Sequence, residues 1–194
     1  MSLTVEKCIQ AWTNSLRQMN SKADIVFFGD SLTYYGDFSS VFPDKVVCNL
    51  GLRGDTIQGM IDRVNQVIML EPKYVFIMAG INDVTSLSIK SFKKKYLLLI
   101  ETLLKGLSGS KFYIQNILPV NSTDFDVSCN NEHIEICNRC IKEIANDKQL
   151  FYVDLFSDYL DLNGFQLSNK FTIDGIHLQR SAYCRWYKKI AEII

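Results

Sequence analysis

The sequence predicts a three-layer α/β sandwich, with a parallel sheet between two layers of helices. Three observations carry this. Short apolar runs alternate with longer amphipathic stretches along the chain. Most of the runs are apolar on both faces and rich in Val, Ile, Phe and Tyr, as strands covered on both sides by helices should be. Clusters of polar residues and glycine follow several runs, and ligands of parallel sheets gather at the carboxyl ends of the strands.

Taken in order, Val5, Ile9, Trp12, Leu16 and Met19 recur at helical spacing and predict an N-terminal amphipathic helix. The first strand is expected over Asp24–Phe28 and the second over Lys45–Leu50. A helix follows on the spacing of Ile57, Met60, Ile61, Val64, Val67 and Ile68, capped by Asp55 or Thr56. The third strand is Tyr74–Ala79. Leu97, Leu98, Ile100, Leu103, Leu104 and Leu107 then mark a helix stopped by Gly106 and Gly109. The Lys93-Lys94-Lys95 run reads as the solvated face of a helix. The fourth strand is expected over Lys111–Leu118. The next helix carries Ile134, Ile136, Cys137, Cys140, Ile141 and Ile144, the fifth strand spans Leu150–Leu155, and a last helix runs from about Ser181 to the end. With no repeat, linker or low-complexity segment, residues 1–194 are expected to form a single domain.

Composition narrows the function. The chain is 47% apolar, which suits a globular core rather than disorder. Its 21 basic residues balance 21 acidic ones, without the basic excess or stripe usual for binding nucleic acid, so no nucleic-acid partner is expected. No apolar stretch reaches the length of a membrane span. The N-terminus has no secretory apolar region, so a cytoplasmic location is expected, although a leader removed earlier would leave the same start. The six cysteines are irregularly spaced and are expected to be free thiols. Cys137 and Cys140 form a lone CxxC with no second pair to complete a zinc site.

The polar clusters are Gly29-Asp30-Ser31 after the first strand, Asn49 to Thr56 after the second, Gly80-Ile81-Asn82-Asp83 after the third, and Asp174-Gly175-Ile176-His177 beyond the fifth. Each could be turn punctuation. Together, on one rim, they supply the parts of an acyl-transfer site. A serine hydroxyl needs a base. His177 suits that role better than His133, which lies near a helix start. A carboxylate must orient the imidazole, and Asp174 can reach back across Gly175, with Asp154 and Asp158 as rivals. The developing oxyanion needs donors, for which the Ser31 N–H, the Gly54 N–H and the Asn82 side-chain amide are candidates.

Gly29-Asp30-Ser31-Leu32, Gly54 within residues 49–56, Gly80-Ile81-Asn82-Asp83 and Asp174-Gly175-Ile176-His177 resemble the four signature blocks of the SGNH hydrolases, the GDSL esterases and lipases. The resemblance spans nearly the whole chain. It implies a flavodoxin-like five-stranded parallel sheet in the order 2-1-3-4-5, with no cofactor and no metal. It also implies Ser31 as nucleophile, His177 as base, Asp174 as its orienting acid, and Ser31, Gly54 and Asn82 as the oxyanion hole. The stretch at 49–56 is most similar to the acetylhydrolase-like branch.

The expected partner is a small-molecule ester. With little length to spare for a lid, a short acyl group is expected, and an acetylated sugar is the first choice. A lysophospholipase or thioesterase is the alternative, favoured if Phe125, Phe165 and Phe171 line an apolar site. A catalytically silent glycan-binding relative is the third reading. Arg53, beside Gly54, and Tyr34, with its neighbour Tyr35, are candidate substrate contacts.

Overall fold

The computed structural model describes residues 22–194; the helix expected over Val5–Met19 lies outside the described residues. β1 (Ile25–Gly29) leads into a one-turn helix, α1 (Ser31–Tyr34), and β2 (Val47–Gly51) follows. Two short helices, α2 (Ile57–Asp62) and α3 (Asn65–Ile68), lead to β3 (Tyr74–Met78). Then come α4 (Ile89–Gly106), β4 (Lys111–Gln115), α5 (Asn131–Asp147), β5 (Phe151–Val153) and α6 (Tyr183–Ala191). The strands form one parallel sheet in the order β2-β1-β3-β4-β5.

The period of two along each strand sorts side chains into two cores. Val26, Phe28, Val75, Ile77 and Ile114 pack with Ile57, Met60, Phe92, Tyr96, Leu103 and Ile141 on one face. Ile25, Phe27, Phe76, Met78 and Val153 pack with Leu32, Tyr183, Trp186 and Ile190 on the other. A run of stacked rings crosses that second face. Phe27 meets Phe76 at 4.8 Å, Phe76 meets Tyr113 at 4.7 Å, and Tyr113 meets Phe151 at 4.9 Å between centroids. Such ring pairs add to area burial and hold four of the strands in register.

Several boundaries differ from expectation, each for a physical reason. The single helix expected from Ile57 to Ile68 is two, because Arg63 leaves helical geometry (φ −113°, ψ 13°) and turns its side chain into the core. Thr56, not Asp55, caps α2, its hydroxyl accepting the Gly59 N–H at 3.1 Å. α4 begins at Ile89, well before the leucine-rich part, because Ser88 caps it. β4 stops at Gln115 rather than Leu118, because the Asn138 side chain takes the role of a neighbouring strand. Its amide oxygen accepts the Ile117 N–H at 2.8 Å and its amide nitrogen donates to the Ile117 carbonyl at 2.9 Å. β5 covers only the middle of Leu150–Leu155, since the Leu155 and Phe156 N–H groups bond to Asn116 Oδ1. The C-terminal helix begins with a 3₁₀ turn at Arg180–Ala182.

Gly29 lies opposite both Gly51 and Met78, so β1, β2 and β3 end level with one another. The chain crosses from one side of β1 to the other at this point, which is where an open parallel sheet has its crevice.

Candidate active site

Ser31 is the first residue of α1, and its placement starts with Asp30. That side chain caps the helix, Oδ1 accepting the Leu32 N–H at 3.0 Å. As the first helical residue, Ser31 has an N–H with no intrahelical acceptor. Asn49 fixes the far end of α1 to β2: its amide donates to the carbonyls of Thr33 and Gly36, both at 2.8 Å.

The Ser31 Oγ lies 2.9 Å from His177 Nε2. His177 Nδ1 lies 2.7 Å from Asp174 Oδ2. The other oxygen, Asp174 Oδ1, accepts the backbone N–H groups of Ile176 at 3.1 Å and of His177 at 2.7 Å. One carboxylate therefore shapes the turn and holds the ring. Desolvation works to raise the Asp174 pKa, but the hydrogen bonds from the His177 ring and the two N–H groups outweigh it and hold the carboxyl below its ordinary value. Gly175 has φ +86°, and a Cβ there would come within 2.7 Å of the Asn121 carbonyl oxygen. The Thr172 hydroxyl closes the turn, accepting the Gly175 N–H and donating to the His177 carbonyl, both at 2.9 Å.

Gly54 and Asn82 stand on the loops after β2 and β3. Gly54 has φ +72°, the left-handed region that suits glycine, and open space where a Cβ would point. The Asn82 amide donates one hydrogen bond to the Asp55 carbonyl at 2.8 Å, which leaves its second N–H for another acceptor. Asp83 Oδ2 accepts the Ile57 N–H at 2.9 Å, so the two loops are tied twice.

Nothing in the local sequence singles out Arg63. Its side chain is only 9% exposed and pairs with the Asp55 carboxylate at 2.7 Å. It also donates to the carbonyls of Leu50 at 2.9 Å and Gly29 at 3.0 Å, with its guanidinium over the Phe28 ring. It thereby joins the ends of β1 and β2 to the loop carrying Gly54. Its sequence signal, one arginine among the polar positions of an amphipathic stretch, is indistinguishable from a solvated charge.

Three carboxylates, Asp30, Asp55 and Asp83, are buried around this point. Desolvation above all, aided by the charges of Asp55 and Asp83, pushes the Asp30 pKa up to about 7 against the Leu32 hydrogen bond and the Arg63 charge. Burial likewise raises that of Asp83. The folded protein therefore holds the Asp30 proton to higher pH than the unfolded chain does. The stability tied to this proton is fully present below about pH 4 and is lost as pH rises to about 7. Asp30→Asn keeps a capping oxygen and removes the titration. Urea unfolding across that range should show wild-type stability falling relative to Asp30→Asn by roughly a few kcal/mol. Parallel curves would refute this.

A cleft of about 500 Å³ opens beside the His177–Asp174 pair, with Tyr35, Arg53, Arg180 and Tyr187 in its walls. Tyr35 presents its edge to the His177 ring at 5.7 Å. Tyr34 does not line the cleft; its ring leans on Tyr35 at 5.2 Å, since adjacent residues at a helix end cannot face the same way. His133 is exposed in the first turn of α5. Asp154 is engaged by Asn116 and Ser157, and Asp158 pairs with Lys189. Phe125, Phe165 and Phe171 do not line the cleft; Phe171 is buried and Phe165 is exposed. Among the described residues no group of three or more His, Cys, Asp or Glu side chains could hold a metal ion, and no helix is long and apolar enough to cross a membrane.

The family model for GDSL-like lipases and acylhydrolases matches residues 27–184. No curated protein matches by sequence. Solved structures share the fold at low identity. A Streptococcus pneumonia protein named for platelet activating factor is 22% identical, with TM-score 0.85 over 96% of this chain and 91% of that one. A GDSL-like lipase from Bacteroides thetaiotaomicron is 19% identical, with TM-score 0.79 over 96% and 95%. An acetyl xylan esterase is 21% identical, with TM-score 0.75 over 88% and 98%.

Proposed function

The chain belongs to the GDSL-like lipase/acylhydrolase family and is a carboxylic ester hydrolase, and from that premise we propose that it removes a short acyl group, acetyl first, from an alcohol such as a sugar hydroxyl. The observation that carries the mechanism is the unbroken chain Ser31 Oγ, His177, Asp174, with heavy-atom separations of 2.9 Å and 2.7 Å. In this reading His177 Nε2 takes the Ser31 proton as Oγ attacks the ester carbonyl. The oxyanion meets the N–H groups of Ser31 and Gly54 and the free N–H of Asn82. His177 then protonates the leaving alcohol, and water, activated by the same ring, releases the acid from Ser31.

Asn82 matters because its amide is already held by the Asp55 carbonyl and needs little reorganisation at the moment of reaction. Asn82→Ala should lower kcat about 10²–10³-fold, the usual cost of losing one such donor, with a small effect on KM. A loss confined to KM would move Asn82 out of this role.

The acetyl preference rests on a cleft that the candidate phenylalanines do not line, and on the occurrence of an acetyl xylan esterase among the proteins sharing the fold. A p-nitrophenyl ester series from acetate to long chains tests it. Activity should peak at acetate. A long-chain optimum would replace this with the lysophospholipase or thioesterase reading. Failure of a serine-directed phosphonate to add mass at Ser31 would favour a silent glycan-binding relative.

A further inference from the structure

His177 gives its proton to the leaving oxygen, so the alcohol part of the ester must lie against His177 rather than against the oxyanion donors. The 500 Å³ cleft has His177 and Asp174 in its wall, but neither Gly54 nor Asn82. By position it receives the alcohol. Its chemistry then says which alcohol.

Two arginines line it, Arg53 and Arg180, both exposed. Neither has a carboxylate partner among the described residues. Arg53 rests its guanidinium over the Tyr35 ring at 5.8 Å, and the same ring touches His177 edge-on. A cation held by a ring face keeps its N–H fork available for hydrogen bonds. Arg180 follows His177 by three residues, on the turn that leads into α6. The acidic groups facing the cleft are Asp174 and Asp37. Asp174 is engaged by the His177 ring and two backbone N–H groups. Asp37 accepts the Ser39 hydroxyl. With His177 neutral as the base, the two carboxylates balance the two arginines in formal charge, and what the cleft offers an anion is two guanidinium forks with no carboxylate among the described residues bonded to them.

We propose that this cleft is the alcohol subsite and that Arg53 and Arg180 select esters whose alcohol part carries an anionic group, a carboxylate or a phosphate. The inference rests on the esterase reading above. Planar guanidinium forks match both anions with paired hydrogen bonds. The acetylated sugar favoured above would then be an acidic one.

The test compares kcat/KM on 4-acetoxybenzoate and 4-acetoxyphenyl phosphate with that on the neutral methyl 4-acetoxybenzoate. Each is measured for wild type, Arg53→Gln, Arg180→Glu and the control Arg139→Gln on α5. Dividing the anionic by the neutral value, and the variant by wild type, cancels intrinsic leaving-group reactivity. The ratio should fall about tenfold in each cleft variant, the scale of one charge-assisted contact. It should hold in Arg139→Gln and shrink in wild type as salt rises, because the cleft is open to solvent. The arm that loses more identifies the anion. Ratios within about twofold of wild type in both arms would overturn the proposal, against a charge-assisted contact's expected scale. Hydrolysis of p-nitrophenyl acetate would show in that case that the esterase reading survives. Absence of Ser31-dependent hydrolysis on every ester would remove that reading, and this proposal with it.

Discussion

Replacing Ser31 by alanine is expected to lower kcat on p-nitrophenyl acetate by about 10⁶-fold, the scale on which a serine triad fails without its nucleophile. The residue is 6% exposed and opens α1, where alanine is a good helix former, so the fold should persist. What remains should be the slow attack of water assisted by oxyanion donors and substrate binding. The measurement is single-turnover hydrolysis with purified variant, alongside phosphonate labelling of wild type. Retention of more than a few per cent of the activity, unlabelled, would remove Ser31 from the mechanism.

Asp174→Asn is the second large effect, about 10⁴-fold in kcat. The tautomer of the ring carries the effect. Asp174 Oδ2 accepts from Nδ1 and so leaves Nε2 bare toward the Ser31 hydroxyl, 2.9 Å away. An asparagine can keep its Oδ1 on the Ile176 and His177 N–H groups, preserving the turn. It then presents an NH₂ to Nδ1. The ring answers by carrying its proton on Nε2, where it cannot take one from serine. Nitrogen NMR of the His177 ring should show the exchange of tautomer, and thermal unfolding should move little. A variant within tenfold of wild type would mean that another group orients the ring. Asp154 and Asp158 are poorly placed for that, each being engaged elsewhere.

The two-faced cores were legible because they rest on short-range patterns, whereas the strand order came only with the resemblance to the SGNH hydrolases. Alternation of period two along Ile25–Gly29 and Tyr74–Met78 sorts side chains between two faces wherever helices cover both. The break at Arg63 was not legible, since Val64, Val67 and Ile68 keep helical spacing across it. What ended the helix was an ion pair with Asp55, eight residues away, and two carbonyls at the ends of β1 and β2. Strand ends were overrun for a similar reason: Asn116 and Asn138 satisfy backbone groups that a strand would otherwise pair.

The layered α/β class can be read from the amino-acid order alone, as can the four clusters that end near the strand tips. The candidates for nucleophile and base narrowed likewise to Ser31 and one of two histidines. These follow from local periodicity and from the scarcity of the residue types the chemistry needs. Folding in three dimensions is what buries Asp30, Asp55 and Asp83 together around Arg63, and what brings Tyr35 rather than Tyr34 to His177. It also decided that Arg180 joins Arg53 in one cleft. The energy of a buried charge, and the direction a ring faces, depend on partners brought from distant parts of the chain, and no local pattern encodes them.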